Sequence, residues 1–142
     1  FHLAGWRNKN LAGLAAATRL LRARGEAVPL TVIGGGPAGA VAECRRAIAA
    51  APDIRLAGPI APDALRRRLA GATGLVLASR RESFGLVLIE ALLAGLPVIH
   101  PAGAAIAGLF PGAPFVIPVR TGDRAALAAA MRRLVDEEAE LK

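Results

Sequence analysis

Leu75-Val76-Leu77-Ala78-Ser79-Arg80-Arg81-Glu82-Ser83-Phe84-Gly85-Leu86-Val87-Leu88-Ile89-Glu90-Ala91-Leu92-Leu93-Ala94-Gly95-Leu96-Pro97-Val98-Ile99-His100 decides how this chain is read. The apolar run Leu75–Ala78 is a strand bounded by turn signals. A polar loop follows. The stretch from Gly85 to Ala94 is almost wholly apolar and is long enough for a helix that Gly95 stops. A second apolar run, Pro97–His100, is again a strand. Two strands joined through a helix are parallel neighbours, because parallel pairing needs a long crossover.

The same alternation extends outward in both directions. Further strands are expected at Phe1–Ala4, Leu30–Ile33, Ile54–Ala57 and Phe115–Ile117. Helices are expected at about Asn10–Arg24, Pro37–Ala50, Pro62–Ala70 and Asp123–Glu140, with 101–114 as loop carrying one short helix. Gly25 and Gly71 stop two of these helices, Pro62-Asp63 starts one, and Asp123 caps another. The fold class is therefore α/β. It is a three-layer, Rossmann-like, doubly wound parallel sheet of about six strands, covered by helices on both faces. Ligands of such sheets sit at the carboxyl ends of the strands. The loops to inspect are 5–9, 34–39, 57–62, 79–84 and 101–114.

The chain's 142 residues suit one domain, 1–142, with a sizeable core. At 54% hydrophobic and 20% charged residues it is too apolar for disorder. No apolar run reaches the ~18 to 20 residues of a membrane span. The opening Phe1-His2-Leu3 has no basic region or cleavage signature, and we expect a piece of something longer. One cysteine, Cys44, excludes an internal disulfide and fits a reducing, cytoplasmic setting. The net charge of +7 comes almost wholly from Arg, since Lys occurs only at 9 and 142. It favours anionic partners: a nucleotide, or an acidic membrane surface at the inner face. Four Phe and one Trp, spread along the chain, make no stacking platform, so nucleic acid is not expected. Arg66-Arg67-Arg68 reads as a solvated helix face and, in the alternative, as an acidic-lipid contact.

Val32-Ile33-Gly34-Gly35-Gly36-Pro37-Ala38-Gly39 matches G-x-G-x-x-G between a strand and a helix, the pattern of flavin- and nicotinamide-binding oxidoreductases. It opens the second βα unit rather than the first. No acidic residue ends the next strand, where a ribose would need one: Asp53 precedes that strand and Ala57-Gly58 closes it. The plainer reading is a tight turn that needs glycine.

The chemistry concentrates around residues 79–90. A helix apolar on nearly every side is expected to be buried, and Glu90 lies in its middle. A buried carboxylate needs a partner. Helical side chains lean toward the helix N-terminus, so Glu90 would reach a ligand at the strand ends. Glu82 sits just ahead of the same helix, and the two carboxylates would bracket one site. The free N–H groups at Gly85 and Leu86 suit an anion. The plain alternative leaves Glu90 in solvent and Glu82 as a loop charge.

Glu82 and Glu90 form an E-x7-E pair enclosing Ser83-Phe84-Gly85-Leu86, followed by Glu90-Ala91, Ala94-Gly95 and Pro97-Val98-Ile99. This resembles the signature of the retaining, nucleotide-sugar-dependent glycosyltransferases of the GT-B fold, family 4 or "group 1". Leu30–Pro37, Ile54–Ile60 and Gly122-Asp123 with the helix after it resemble the corresponding segments, so the likeness covers nearly the whole chain. The resemblance implies that 1–142 is the C-terminal, nucleotide-sugar-binding domain of a two-domain enzyme. The N-terminal acceptor domain of the full-length chain would be its partner. The donor would be a UDP-, GDP- or ADP-sugar, with no further cofactor and no metal. Glu82 would be the catalytic carboxylate near the reacting carbon, and Glu90 would hold the ribose hydroxyls. Phe84, Gly85 and Leu86 would line the diphosphate and sugar, and Pro59 and Ile60 would flank the base. Lys9, with Arg7, would neutralise the diphosphate. Two departures are visible: a single residue, Asn8, separates Arg7 from Lys9, and 101–108 carries no Glu. They leave a further alternative, a non-catalytic regulatory domain of the same fold. His100 ends a strand and reads as a loop or core histidine, and Cys44 as helix packing.

Overall fold

The computed structural model describes residues 3–142. The chain enters through a single 3₁₀ turn at Leu3–Gly5. It then alternates α1 (Leu11–Ala23), β1 (Leu30–Ile33), α2 (Ala38–Ile48), β2 (Ile54–Gly58), α3 (Pro62–Ala70) and β3 (Leu75–Val76). There follow α4 (Leu86–Leu93), β4 (Val98–Pro101), α5 (Ile106–Leu109), β5 (Val116–Val119), α6 (Arg124–Asp136) and α7 (Glu138–Leu141). Every strand pairing among the described residues is parallel, as the intervening helices require.

Two expectations change. About six strands in one sheet were expected; the described residues form a two-stranded ladder, β1-β2, and a three-stranded ladder, β3-β4-β5. A groove of about 450 Å³ lies between the β1 and β3 edges, lined by Leu30, Thr31, Leu75 and Val76 and floored by Met131 and Leu134 of α6. The expected first strand, Phe1–Ala4, is the other correction. Phe1 and His2 lie outside the described residues, and Leu3 and Ala4 belong to the 3₁₀ turn. The Leu3 N–H donates to the Gly35 carbonyl at 2.8 Å, just past the end of β1. A short apolar run cannot by itself separate a strand from a buried turn.

The three layers follow from strand alternation. Ile99, Ile117 and Val119 point into a core shared with Leu11, Leu14, Leu21, Cys44, Leu127 and Met131, from α1, α2 and α6. Val98 and Val116 point the other way, to a core shared with Leu69, Leu88, Ala91 and Ile106, from α3, α4 and α5. Pro118 lacks an N–H and is tolerated because β5 is a ladder edge. Asp123 caps α6, its Oδ1 accepting from the Ala126 N–H at 2.8 Å. The single long helix expected to Glu140 breaks at Glu137. Asp136, Glu137 and Glu138 there oppose the helix dipole, which disfavours negative charge at a C-terminus.

Candidate functional site at the strand ends

The site is built where the loop before α1 meets the loop before α4. Lys9 comes from the first and Glu82 from the second, and Lys9 Nζ lies 3.0 Å from Glu82 Oε2. Both side chains are largely shielded, so this pair is screened less than a surface contact. Ser79, fully buried at the end of the β3 segment, donates its hydroxyl to the same carboxylate oxygen at 3.3 Å.

Beyond Glu82 the chain turns into α4 at Gly85, whose φ of 78° lies in the left-handed region. A Cβ there would stand 2.8 Å from Leu88 Cδ1 and 3.2 Å from Leu77 Cδ2. Only glycine meets both demands. No side chain caps α4, so its first N–H groups carry the positive end of the helix dipole. Phe84 is 37% and Leu86 72% exposed on either side of this turn.

Glu90 is exposed, against the expectation of a buried carboxylate. It lines a groove between α3 and α4 with Pro62, Leu65, Arg66 and Leu93. The helix buries Leu88 and Ala91 and turns Leu86, Glu90 and Leu93 outward together, at i, i+4 and i+7. An apolar composition therefore overstated its burial. Pro59 is exposed and Ile60 half-buried.

Arg7 leaves the cluster. Its guanidinium lies 3.0 Å from Glu43 of α2 and over the Trp6 ring, 4.7 Å from its centroid. Trp6 Nε1 donates to the same Glu43 oxygen. The indole hydrogen bond, aided by Arg7, holds the Glu43 carboxyl below its ordinary value. The structure thus brings Lys9 and Glu82 together and sends Arg7 elsewhere.

Sequence reading missed Asn8. Its side chain faces the Arg81 peptide from both ends: Nδ2 donates to the carbonyl at 3.1 Å, and Oδ1 accepts from the N–H at 3.1 Å. The Arg80 N–H adds a bond to the Asn8 carbonyl at 2.6 Å, and Arg80 Nε one to the Arg7 carbonyl at 3.2 Å. Such a partnership across 73 residues has no local signal.

The glycine loop after β1 is used structurally. The Gly34 N–H donates to the Gly58 carbonyl at 3.0 Å, and the Gly35 carbonyl accepts from Leu3. A Cβ on Gly35 would sit 3.2 Å from the Pro59 ring. The Pro59 contact accounts for glycine at position 35 without a dinucleotide. His100 is a core residue, 1% exposed, with Nδ1 bonded to the Pro101 carbonyl at 2.9 Å. Burial pushes its pKa down, against a smaller upward pull from that carbonyl. Cys44 faces the core from α2 with its thiol pKa raised by burial. Arg66, Arg67 and Arg68 are all exposed, Arg66 paired with Asp63 at 2.6 Å. Among the described residues no group of three or more His, Cys, Asp or Glu is placed to hold a metal ion, and no helix is long and apolar enough to cross a membrane.

The model for "Glycosyl transferases group 1" matches residues 2–137. The chain belongs to the group 1 glycosyltransferase family. A D-inositol 3-phosphate glycosyltransferase from Nocardioides sp. is 32% identical over 142 residues, covering 91% of this chain and 30% of that protein. Sucrose-phosphate synthase from Thermosynechococcus elongatus superposes with a TM-score of 0.77 at 26% identity, over 94% of this chain and 34% of that one. Anabaena HepE, solved with UDP and glucose, gives 0.72 at 17% identity, over 96% and 37%. The chain thus spans about a third of the length of each of these three proteins.

Proposed function

We propose that this chain is the donor-binding part of a two-domain glycosyltransferase and holds a nucleoside diphosphate-sugar for retaining transfer to an acceptor bound by the rest of the enzyme. The observation that carries this reading is the Lys9–Glu82 pair, made in the loop that leads into the uncapped start of α4. A departing nucleoside diphosphate gains negative charge as the glycosidic bond breaks. Lys9 and the first α4 N–H groups present a preformed positive field to that charge. Glu82 faces the sugar near the reacting carbon, where a carboxylate stabilises developing positive character. Glu90, exposed on the α3–α4 groove, accepts from the ribose hydroxyls, and Pro59 and Ile60 flank the base. Lys9 supplies the cation, so the reaction asks for no metal.

HepE with UDP and glucose and pneumococcal GtfA with UDP and GlcNAc share this fold, which supports UDP as the first donor nucleotide to test. Taken alone, the chain binds nucleotide and turns over little, because the groups that orient the acceptor lie outside it.

Calorimetric titration of UDP, GDP, ADP and FAD tests the reading. One nucleoside diphosphate binds, and Lys9→Ala and Glu90→Ala each weaken it roughly tenfold, the size of one charge-assisted hydrogen bond. Tight FAD binding indifferent to Glu90→Ala overturns it.

A further inference from the structure

We infer that Asn8 is a positioning residue that sets the Glu82 loop against Lys9. The inference rests on the donor-site reading above for its consequence, but not for its geometry. The two loops belong to different βα units and share no ladder hydrogen bond. They are joined by the cyclic pair between the Asn8 amide and the Arg81 peptide, with both bonds at 3.1 Å. The Arg80 N–H and guanidinium tie the same loop to the Asn8 and Arg7 carbonyls.

The chemistry of the pair selects its residue. A side chain that mimics a peptide must donate and accept from one planar group. Aspartate keeps the acceptor for the Arg81 N–H but sets a carboxylate against the Arg81 carbonyl. Serine offers one atom where two are used. Glutamine carries the right group one methylene too far out.

Lys9 and Glu82 are the next residues along each side of this clamp, and their ion pair closes one position beyond it. The order of dependence follows. When a diphosphate draws Lys9 away from Glu82, the ion pair opens. The Asn8 clamp and Ser79 do not involve Lys9, so they keep Glu82 in place for the sugar. Asn8 is exposed. Hydrogen bonds in water contribute little net stability, so its loss alters the register of the loops rather than the fold.

The test uses ¹⁵N-labelled chain with Asn8→Asp, Asn8→Ala and, separately, Glu82→Gln. Three signals are read: amide exchange at Arg81, the hydrogen-bonded Lys9 ζ-ammonium resonance, and UDP affinity. Thermal melting is the check on folding. Both Asn8 variants are expected to melt close to the parent; Asn8→Ala, which removes the acceptor, exchanges the Arg81 amide about tenfold faster, and Asn8→Asp, which keeps it, does not. Both variants lose the Lys9 resonance and bind UDP about five- to tenfold more weakly, near the value of one such bond. Glu82→Gln is expected to lose the Lys9 resonance while keeping Arg81 protected, which a general loosening of the fold would not do. Retention of the Lys9 resonance in both Asn8 variants, or of Arg81 protection in Asn8→Ala, overturns the inference. So does loss of Arg81 protection in Glu82→Gln, which would make the ion pair the organiser. If the parent binds no nucleoside diphosphate while the two spectroscopic signals respond as expected, the clamp stands and the donor reading falls.

Discussion

Replacing Gly85 by alanine tests how the site is built, because two separate costs meet at one atom. The first is conformational: φ is 78° there, and an L-residue in the left-handed region loses roughly 1–2 kcal/mol. The second is steric. The new Cβ falls 2.8 Å from Leu88 Cδ1 and 3.2 Å from Leu77 Cδ2. Leu88 is 0% and Leu77 7% exposed, so both side chains must shift within the core to admit it. Overpacking of this kind costs typically about 1–3 kcal/mol, for a total of about 2–5 kcal/mol. At about 4 °C per kcal/mol for a domain of this size, Tm falls by about 8–20 °C. Gly95→Ala is the matched control. Its φ is 77°, yet a Cβ there meets nothing within 4 Å, so only the conformational cost of about 1–2 kcal/mol applies. The difference between the two variants isolates the packing of the α4 start. Paired thermal and urea unfolding measures it, and UDP titration of both shows whether the site goes with it. Equal losses in Gly85→Ala and Gly95→Ala would refute the claim that close packing selects glycine at the mouth of α4.

Asp123→Ala removes the α6 cap and should cost about 1 kcal/mol, seen as a shift in urea midpoint at constant m-value; no shift means the Asp123–Ala126 bond does not stabilise α6. The His100 pKa is pushed down by burial, so the unfolded chain takes up a proton before the folded one does. Stability should therefore fall as pH drops below about 6.5, and His100→Leu should flatten that slope in unfolding measured from pH 7 to 5. The Arg22 hydrogen bond holds the Asp53 carboxyl below its usual value. That contribution is fully present above roughly pH 4 and is lost as pH falls further. Asp53→Asn should remove this acid-side step in unfolding below pH 4.

Most of the fold was legible because its signals are local. Pro62-Asp63 and Gly71 bounded α3 at Pro62–Ala70, and the apolar runs at 30, 54, 75, 98 and 116 became strands. Lys9 was singled out by the family resemblance, and Glu82 and Gly85 by their place ahead of α4; the structure pairs the first two at 3.0 Å and turns the chain into α4 at the third. The failures have one origin, which is that tertiary partners are invisible in a line of residues. Arg7 and Lys9 stand two apart, yet the turn between them sends Arg7 to Glu43 on α2 and Lys9 to Glu82. Glu90 looked buried because its neighbours are apolar, but burial depends on which side of α4 meets the sheet. Asn8 read as a spacer because nothing nearby in sequence shows the Arg81 peptide it pairs with.

The most direct test of the central claim is amide chemical-shift mapping of the ¹⁵N-labelled chain during a UDP titration. The account predicts saturable shifts at Lys9, Glu82, Phe84–Leu86 and Glu90, joined by Ile60. Shifts confined to Gly34–Gly39, with the Lys9 and Glu82 region unmoved, would contradict it and return the glycine loop to the centre of the argument.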